Sequence, residues 1–180
     1  MSKELEKLQF VHDFLERTKS VTLLVVAESS GSSPGRAGYK MAVAADGDLF
    51  GSIGGGVMEV NLVEWSRAIL SEPGAVATGF LVEQVHRRNA ENASGMICSG
   101  RQTVILKQLT AEDLPTVERI VANLESHSTA AFEISNLGFQ IVERTSNSEQ
   151  TFFKRDGEVF VYQEMLGQKD ELIIIGGGHC

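Results

Sequence analysis

Three short stretches of this 180-residue chain concentrate residue types that can do chemistry. The first is Gly51-Ser52-Ile53-Gly54-Gly55-Gly56-Val57-Met58-Glu59. Gly54, Gly55 and Gly56 have no Cβ, so the backbone can turn with positive φ and lie close against a ligand. The spacing predicts that this loop joins a strand to a helix. The free N–H groups of that helix point back at the loop, and an anion there meets several donors and the positive end of the helix dipole. A tight turn without a ligand accounts for the same glycines. Glu59 falls in the first helical turn, where a carboxylate either complements the dipole or serves a ligand.

The second stretch runs over 28–41. Four serines, three glycines and Pro34 make it a loop, with the hydroxyls of Ser32 and Ser33 close to the cations Arg36 and Lys40. A plain surface loop has the same composition. The third stretch is Gly95-Met96-Ile97-Cys98-Ser99-Gly100. A free cysteine is often a small buried hydrophobe, but a glycine-bracketed cysteine at a loop-to-strand junction also suits a functional thiol. The shared glycine, serine and cation content predicts that the three stretches converge on one side of a sheet.

The elements that must position them follow from periodicity. Apolar residues at helical spacing predict helices near 4–18, 57–71 and 111–126. In the second of these, Met58, Leu62, Trp65 and Ile69 form the expected buried stripe, with Trp65 read as core. Thr110 with Asp113 has the form of a capping box for the third. The run 21–27 is apolar and β-branched, as in a strand buried on both faces. Strands are expected at 41–45 and 49–53 around Asp46-Gly47, at 75–85, at 102–109, and as two further hairpins over 130–143 and 152–162. The polar run 86–94 reads as an exposed loop, with His86 solvated. The fold class is therefore α/β of an α+β-like kind, a mixed and largely antiparallel sheet flanked by helices.

The segment 1–165 is expected to form one domain. Residues 163–171 are polar and read as a linker, placed at 166–171 in the domain division. Leu172-Ile173-Ile174-Ile175 followed by Gly176-Gly177-Gly178-His179 looks like the first strand and glycine turn of a Rossmann-type unit, with the rest of that unit absent. Such a strand binds no dinucleotide alone, so an NAD-dependent oxidoreductase is the weakest reading. Residues 172–180 are expected to be an exposed tail or to borrow a sheet edge.

Hydrophobic residues make up 42% of the chain and charged residues 22%, enough for a real core and too apolar for a disordered chain. A net charge of −8 argues against general nucleic-acid or anionic-membrane binding. No apolar run is long enough to span a bilayer, and the charged start lacks a signal-peptide core, so a cytoplasmic location is expected. Cys98 and Cys180 make neither a disulfide framework nor a CxxC metal signature.

Taken in order, Gly31-Ser32-Ser33-Pro34-Gly35-Arg36 with Lys40-Met41, then Gly51 to Gly56 with Glu59, then Gly95-Met96-Ile97-Cys98, resemble the XdhC/CoxI family of molybdenum hydroxylase accessory proteins. Where the family commonly has glycine after the cysteine, this chain has Ser99. The resemblance implies a protein that binds molybdenum cofactor (molybdopterin), assists its sulfuration and delivers it to an apo molybdenum hydroxylase of the xanthine dehydrogenase type, with a cysteine desulfurase as a second partner and a homodimer as an assembly state. It implies cofactor contacts from Ser32, Ser33, Arg36, Lys40, Gly54, Gly55, Gly56 and Glu59, with Cys98 as a soft ligand facing the metal. It points to a chaperone rather than an enzyme. A thiol-based sulfur carrier using Cys98 is the alternative.

Overall fold

The structure, a computed structural model, describes residues 3–17, 19–71, 79–86, 100–126, 130–136, 138–143 and 149–166. Its elements follow in chain order. Helix α1 (Lys3–Glu16) precedes strands β1 (Val21–Gly31), β2 (Lys40–Ala44) and β3 (Leu49–Gly51). Helix α2 (Gly56–Ser71) leads to β4 (Phe80–His86) and β5 (Gly100–Leu109), and a short 3-10 turn at Ala111–Asp113 opens α3 (Leu114–Glu125). Strands β6 (Ala130–Ser135), β7 (Gly138–Glu143), β8 (Thr151–Asp156) and β9 (Val159–Met165) follow.

The strands form two sheets, ordered β3-β2-β1-β5-β4 and β7-β6-β9-β8. Every strand pair among the described residues is antiparallel. The expected mixed sheet is thus two purely antiparallel ones, and the class is α+β. Hairpins connect most neighbours, and a hairpin can only be antiparallel.

Strand β1 is the centre of the larger sheet and is buried from Val21 to Ala27. Its alternate residues feed two cores. Leu24 and Val26, with Val104 and Leu106 of β5, meet Leu62 and Val63 of α2 on one face. Leu23, Val25 and Ala27 point the other way, into a core shared with α1, α3 and the smaller sheet. The period of two along a strand sorts these side chains.

Several expectations change here. Residues 29–31, expected in a loop, continue β1 and pair with β5 as Ser29↔Gln102, Ser30↔Arg101 and Gly31↔Gly100. The ladder satisfies their backbone groups, which outweighs a loop-like composition. Trp65 is not core. It is 46% exposed and stacks on Phe80 with ring centroids 6.1 Å apart. Met58 and Leu62 of the expected stripe are buried and Ile69 is partly buried against the same core, while Val63 and Ser66 complete the buried face in place of Trp65. The linker reading over 163–166 also fails. Residues 163–165 belong to β9, and Leu166 is 3% exposed with its N–H bonded to the Ala130 carbonyl. Their polarity misleads because β9 turns alternate residues inward, Glu164 among them.

The capping box is formed: the Thr110 hydroxyl accepts from the Glu112 N–H, and the Asp113 carboxylate accepts from the Thr110 N–H. The rest of the expected linker, the strand and glycine turn at 172–180, the loop at 87–94 and the start of the expected strand at 75–78 lie outside the described residues. Among the described residues no helix is long and apolar enough to cross a membrane.

Candidate functional site

The serine loop and the glycine turn meet at one end of the larger sheet, above the first turn of α2. Contact between them is backbone to backbone. A Cβ added to Gly35 would come within 2.1 Å of the Ile53 carbonyl oxygen, and one added to Gly54 within 2.6 Å of the Gly35 nitrogen. Strand β5 closes the third side. A Cβ on Gly100 would lie 2.5 Å from the Ser33 nitrogen. Glycine at 35, 54 and 100 is therefore what lets three chain segments touch.

Gln102 ties the junction together and was not singled out by sequence reading. It is fully buried, and its Oε1 accepts the Ser33 hydroxyl proton at 2.7 Å. Its Nε2 faces the Ile53 carbonyl and the Met58 sulfur, each at 3.4 Å. The one signal in the sequence is a glutamine two residues after Gly100, just before the apolar run Val104-Ile105-Leu106 of β5. Gln84 lies directly opposite Gln102 on β4, and its carbonyl oxygen is buried without a partner among the described residues.

The glycine turn is already occupied by an anion of the chain itself. All three glycines have positive φ, at 129°, 74° and 78° for Gly54, Gly55 and Gly56. In this conformation the turn wraps the Glu59 carboxylate. One carboxylate oxygen accepts from the Ser52 hydroxyl at 2.7 Å, the Ile53 N–H at 2.8 Å and the Gly55 N–H at 3.0 Å. The Gly54 N–H is bonded to the Ser52 hydroxyl oxygen. The amides expected to hold an external anion are thus largely taken. Glu59 is a cap that folds back from α2, which combines the dipole with charge-assisted bonds. Glu59→Gln should lower stability by about 1–2 kcal/mol, because a neutral acceptor replaces a charged one. Urea unfolding checks this; an unchanged midpoint would show that the carboxylate contributes nothing to the turn.

The remaining expected residues divide. Ser32 and Arg36 are exposed at the rim, and Arg36 forms no ion pair with the described residues. Ser33 is buried and engaged by Gln102. Lys40 does not belong to this site. It is 1% exposed, its amine 2.7 Å from Glu164 and 2.9 Å from Glu4, and it also donates to the Gly38 carbonyl. Strand parity is the reason. Lys40 stands opposite Val25 and shares its face of the sheet, whereas Met41 points toward α2. The Lys40 charge is therefore neutralised inside the second core.

That second cluster also contains Lys7, which donates to Glu4, and Tyr162, which donates to Glu164. Burial lowers the pKa of Lys7, with Glu4 opposing and Lys40 reinforcing the shift. Burial and the adjoining Glu164 carboxylate hold the Tyr162 phenol far above its usual range, so it remains a neutral donor. Cys98 and the rest of 95–99 lie outside the described residues, so the third motif is placed only where it enters, at Gly100. Among the described residues a cluster able to offer metal ligands is His12, Asp13 and Glu16 on α1. It is on a different element from the motif loops.

Comparison with known proteins bears on this junction. Residues 14–80 match the XdhC and CoxI family. The matched segment contains both the serine loop and the glycine turn, which bears out the resemblance read from the sequence. No curated protein matches the chain. A solved structure described as a xanthine dehydrogenase from Bacillus halodurans is similar, with a TM-score of 0.59 and 14% identity, covering 92% of this chain and 53% of that one. At that identity the likeness is one of fold. The present chain spans about half the length of that protein.

Proposed function

We propose that this XdhC and CoxI family segment is the cofactor-holding part of an accessory protein for a xanthine dehydrogenase-type molybdenum hydroxylase. Its task is to bind molybdenum cofactor, shield it during sulfuration and pass it to the apo-enzyme, with a cysteine desulfurase as sulfur donor. The observation that carries this reading is the packing of the two family loops against each other and against Gly100, the point where the Cys98 stretch joins the sheet.

The donor chemistry fits such a cofactor in part and in a specific way. The pterin carries a phosphate. Because Glu59 fills the glycine turn, the phosphate falls to the exposed Arg36 guanidinium and the Ser32 hydroxyl rather than to the nest. Arginine suits a phosphate through its planar fork of donors. The buried Gln84 side-chain oxygen has no donor among the described residues, and a ring N–H of a pterin is the kind of group that satisfies it. When bound, the cofactor would supply a dithiolene-held metal, for which the Cys98 thiolate is the soft partner in this chain.

The test is co-elution of the protein with molybdenum cofactor and the visible absorption of the complex. Arg36→Ala should weaken retention by roughly 10–100-fold, the loss of a charge-assisted hydrogen bond. Cys98→Ser should elute without cofactor and melt like the wild type, and Cys180→Ser should change neither. If Cys98→Ser melts earlier yet retains cofactor, Cys98 is a core residue and its assignment falls. If the wild-type chain itself retains no cofactor, the whole reading falls.

A further inference from the structure

We infer that Gln102 is a positioning residue that sets the distance between the two loops of the site. This rests on the reading above for its functional consequence, but its structural content does not. The exposed groups offered to a ligand come from two separate segments, Ser32 and Arg36 on one and, past the amides that Glu59 takes, Gly56 at the end of the glycine turn on the other. A ligand touching both is held well only if their separation is constant. Gln102 is where that separation is set. It is fully buried, and a single planar amide addresses both segments. Its oxygen takes the Ser33 proton, and its nitrogen faces the Ile53 carbonyl and the Met58 sulfur of α2.

The chemistry of the side chain explains why it is glutamine. The Ile53 carbonyl can only accept, so the amide nitrogen must face it, and the amide oxygen then faces Ser33. Leucine of similar size supplies neither function. An ionised carboxyl supplies two acceptors and sets one of them against the Ile53 carbonyl. A protonated carboxyl again offers one donor and one acceptor in the shape of the amide. Packing leaves little room for another arrangement, since a Cβ on Gly35 would lie only 2.9 Å from the Gln102 oxygen. The charged groups accompanying these contacts are Glu59, bonded to the Ser52–Gly55 turn, and Arg101, exposed on the opposite face of β5.

This gives a signature that a merely structural glutamine lacks. Gln102→Glu should behave like Gln102→Leu at neutral pH and regain wild-type behaviour as the introduced buried carboxyl is protonated on acidification; burial raises its pKa and brings this within reach. The readout is amide hydrogen exchange of the ligand-free protein, as protection factors for residues 32–38 and 53–56. Both loops should lose protection together, by about tenfold, in Gln102→Leu and in Gln102→Glu at neutral pH. Both should recover in Gln102→Glu at low pH, while the wild type is constant. Molybdenum cofactor retention at the same two pH values should follow the same pattern.

Loss of protection in one loop only, loss spread over the whole sheet, or no recovery on acidification overturns the inference. Should both Gln102 variants fail to fold, Ser33→Ala decides. It removes the proton that Gln102 accepts, so residues 53–56 should loosen, and unchanged protection there overturns the coupling. A wild type that retains no cofactor while the exchange pattern holds would refute the function and leave the positioning role intact.

Discussion

Glu164→Gln is expected to lower stability by about 3–5 kcal/mol, the cost of breaking a buried ion pair by removing one partner. In a domain of this size that lowers the melting temperature by roughly 10 °C. Glu164 is 2% exposed and accepts from both Lys40 and Tyr162. A glutamine at 164 has one oxygen for those two donors and turns its own N–H₂ toward the other. Among the described residues, Lys40 would then keep the Glu4 carboxylate and the Gly38 carbonyl as polar partners. The ammonium also lies 5.5 Å from the Phe132 ring centroid, a minor contact by comparison.

Glu4→Gln is the internal control, because it removes the same charge from a side chain 21% exposed. Its cost should be smaller, about 1 kcal/mol, since a glutamine keeps an oxygen for Lys40 and Glu164 still carries the countercharge. Equal effects from the two substitutions would show that the cluster is solvated and that burial is not what makes Glu164 costly to lose.

The pH dependence has a definite sign. Burial alone lowers the pKa of Lys40, and Glu164 and Glu4 together outweigh it, so the pKa is raised above the ordinary 10.5. A raised base contributes stability that is fully present below its unfolded pKa and lost as pH rises through the folded one. The Lys40 contribution is therefore constant across the neutral range and declines only in strong alkali. Lys7 runs the other way: its lowered pKa means that its charge costs stability below the folded value, and that this cost is relieved as pH rises.

Gly35→Ala should cost about 3 kcal/mol, the upper end of ordinary overpacking. The obstacle is the Ile53 carbonyl oxygen, 2.1 Å from where the Cβ would stand, and backbone cannot step aside as a flexible side chain can. The strain passes directly to Gly54, which leans on the Gly35 nitrogen. Cofactor retention should be lost with it on the proposed reading. Gly55→Ala makes the contrast. Its Cβ would meet nothing within 4 Å, and only the positive φ of 74° opposes it, at about 1–2 kcal/mol. Thermal melts of the two variants separate close approach from backbone conformation. If Gly35→Ala melted with the wild type, the two loops would not be in contact.

The local signals in the chain were enough for its elements. Helical spacing located α1, α2 and α3 to within a few residues, and Asp-Gly and Asn-x-Gly turns located the hairpins. Both are set by neighbours in sequence, so they can be read there. The serine loop, the glycine turn and Gly100 were also marked in the sequence, because glycine at 35, 54 and 100 is demanded by close backbone approach. Partnership was not legible. Nothing near Glu59 in sequence says that its carboxylate closes the glycine turn instead of leaving it to a ligand. Nothing near Lys40 says that it meets Glu164, 124 residues away, on the far side of the sheet from that turn. Gln102 looked like an ordinary strand residue until the fold set it between Ser33 and Ile53. Residue type and spacing determined which groups were available. Strand parity and the stacking of two sheets decided which of them face each other, because the direction of a side chain depends on a register that only the assembled sheet defines.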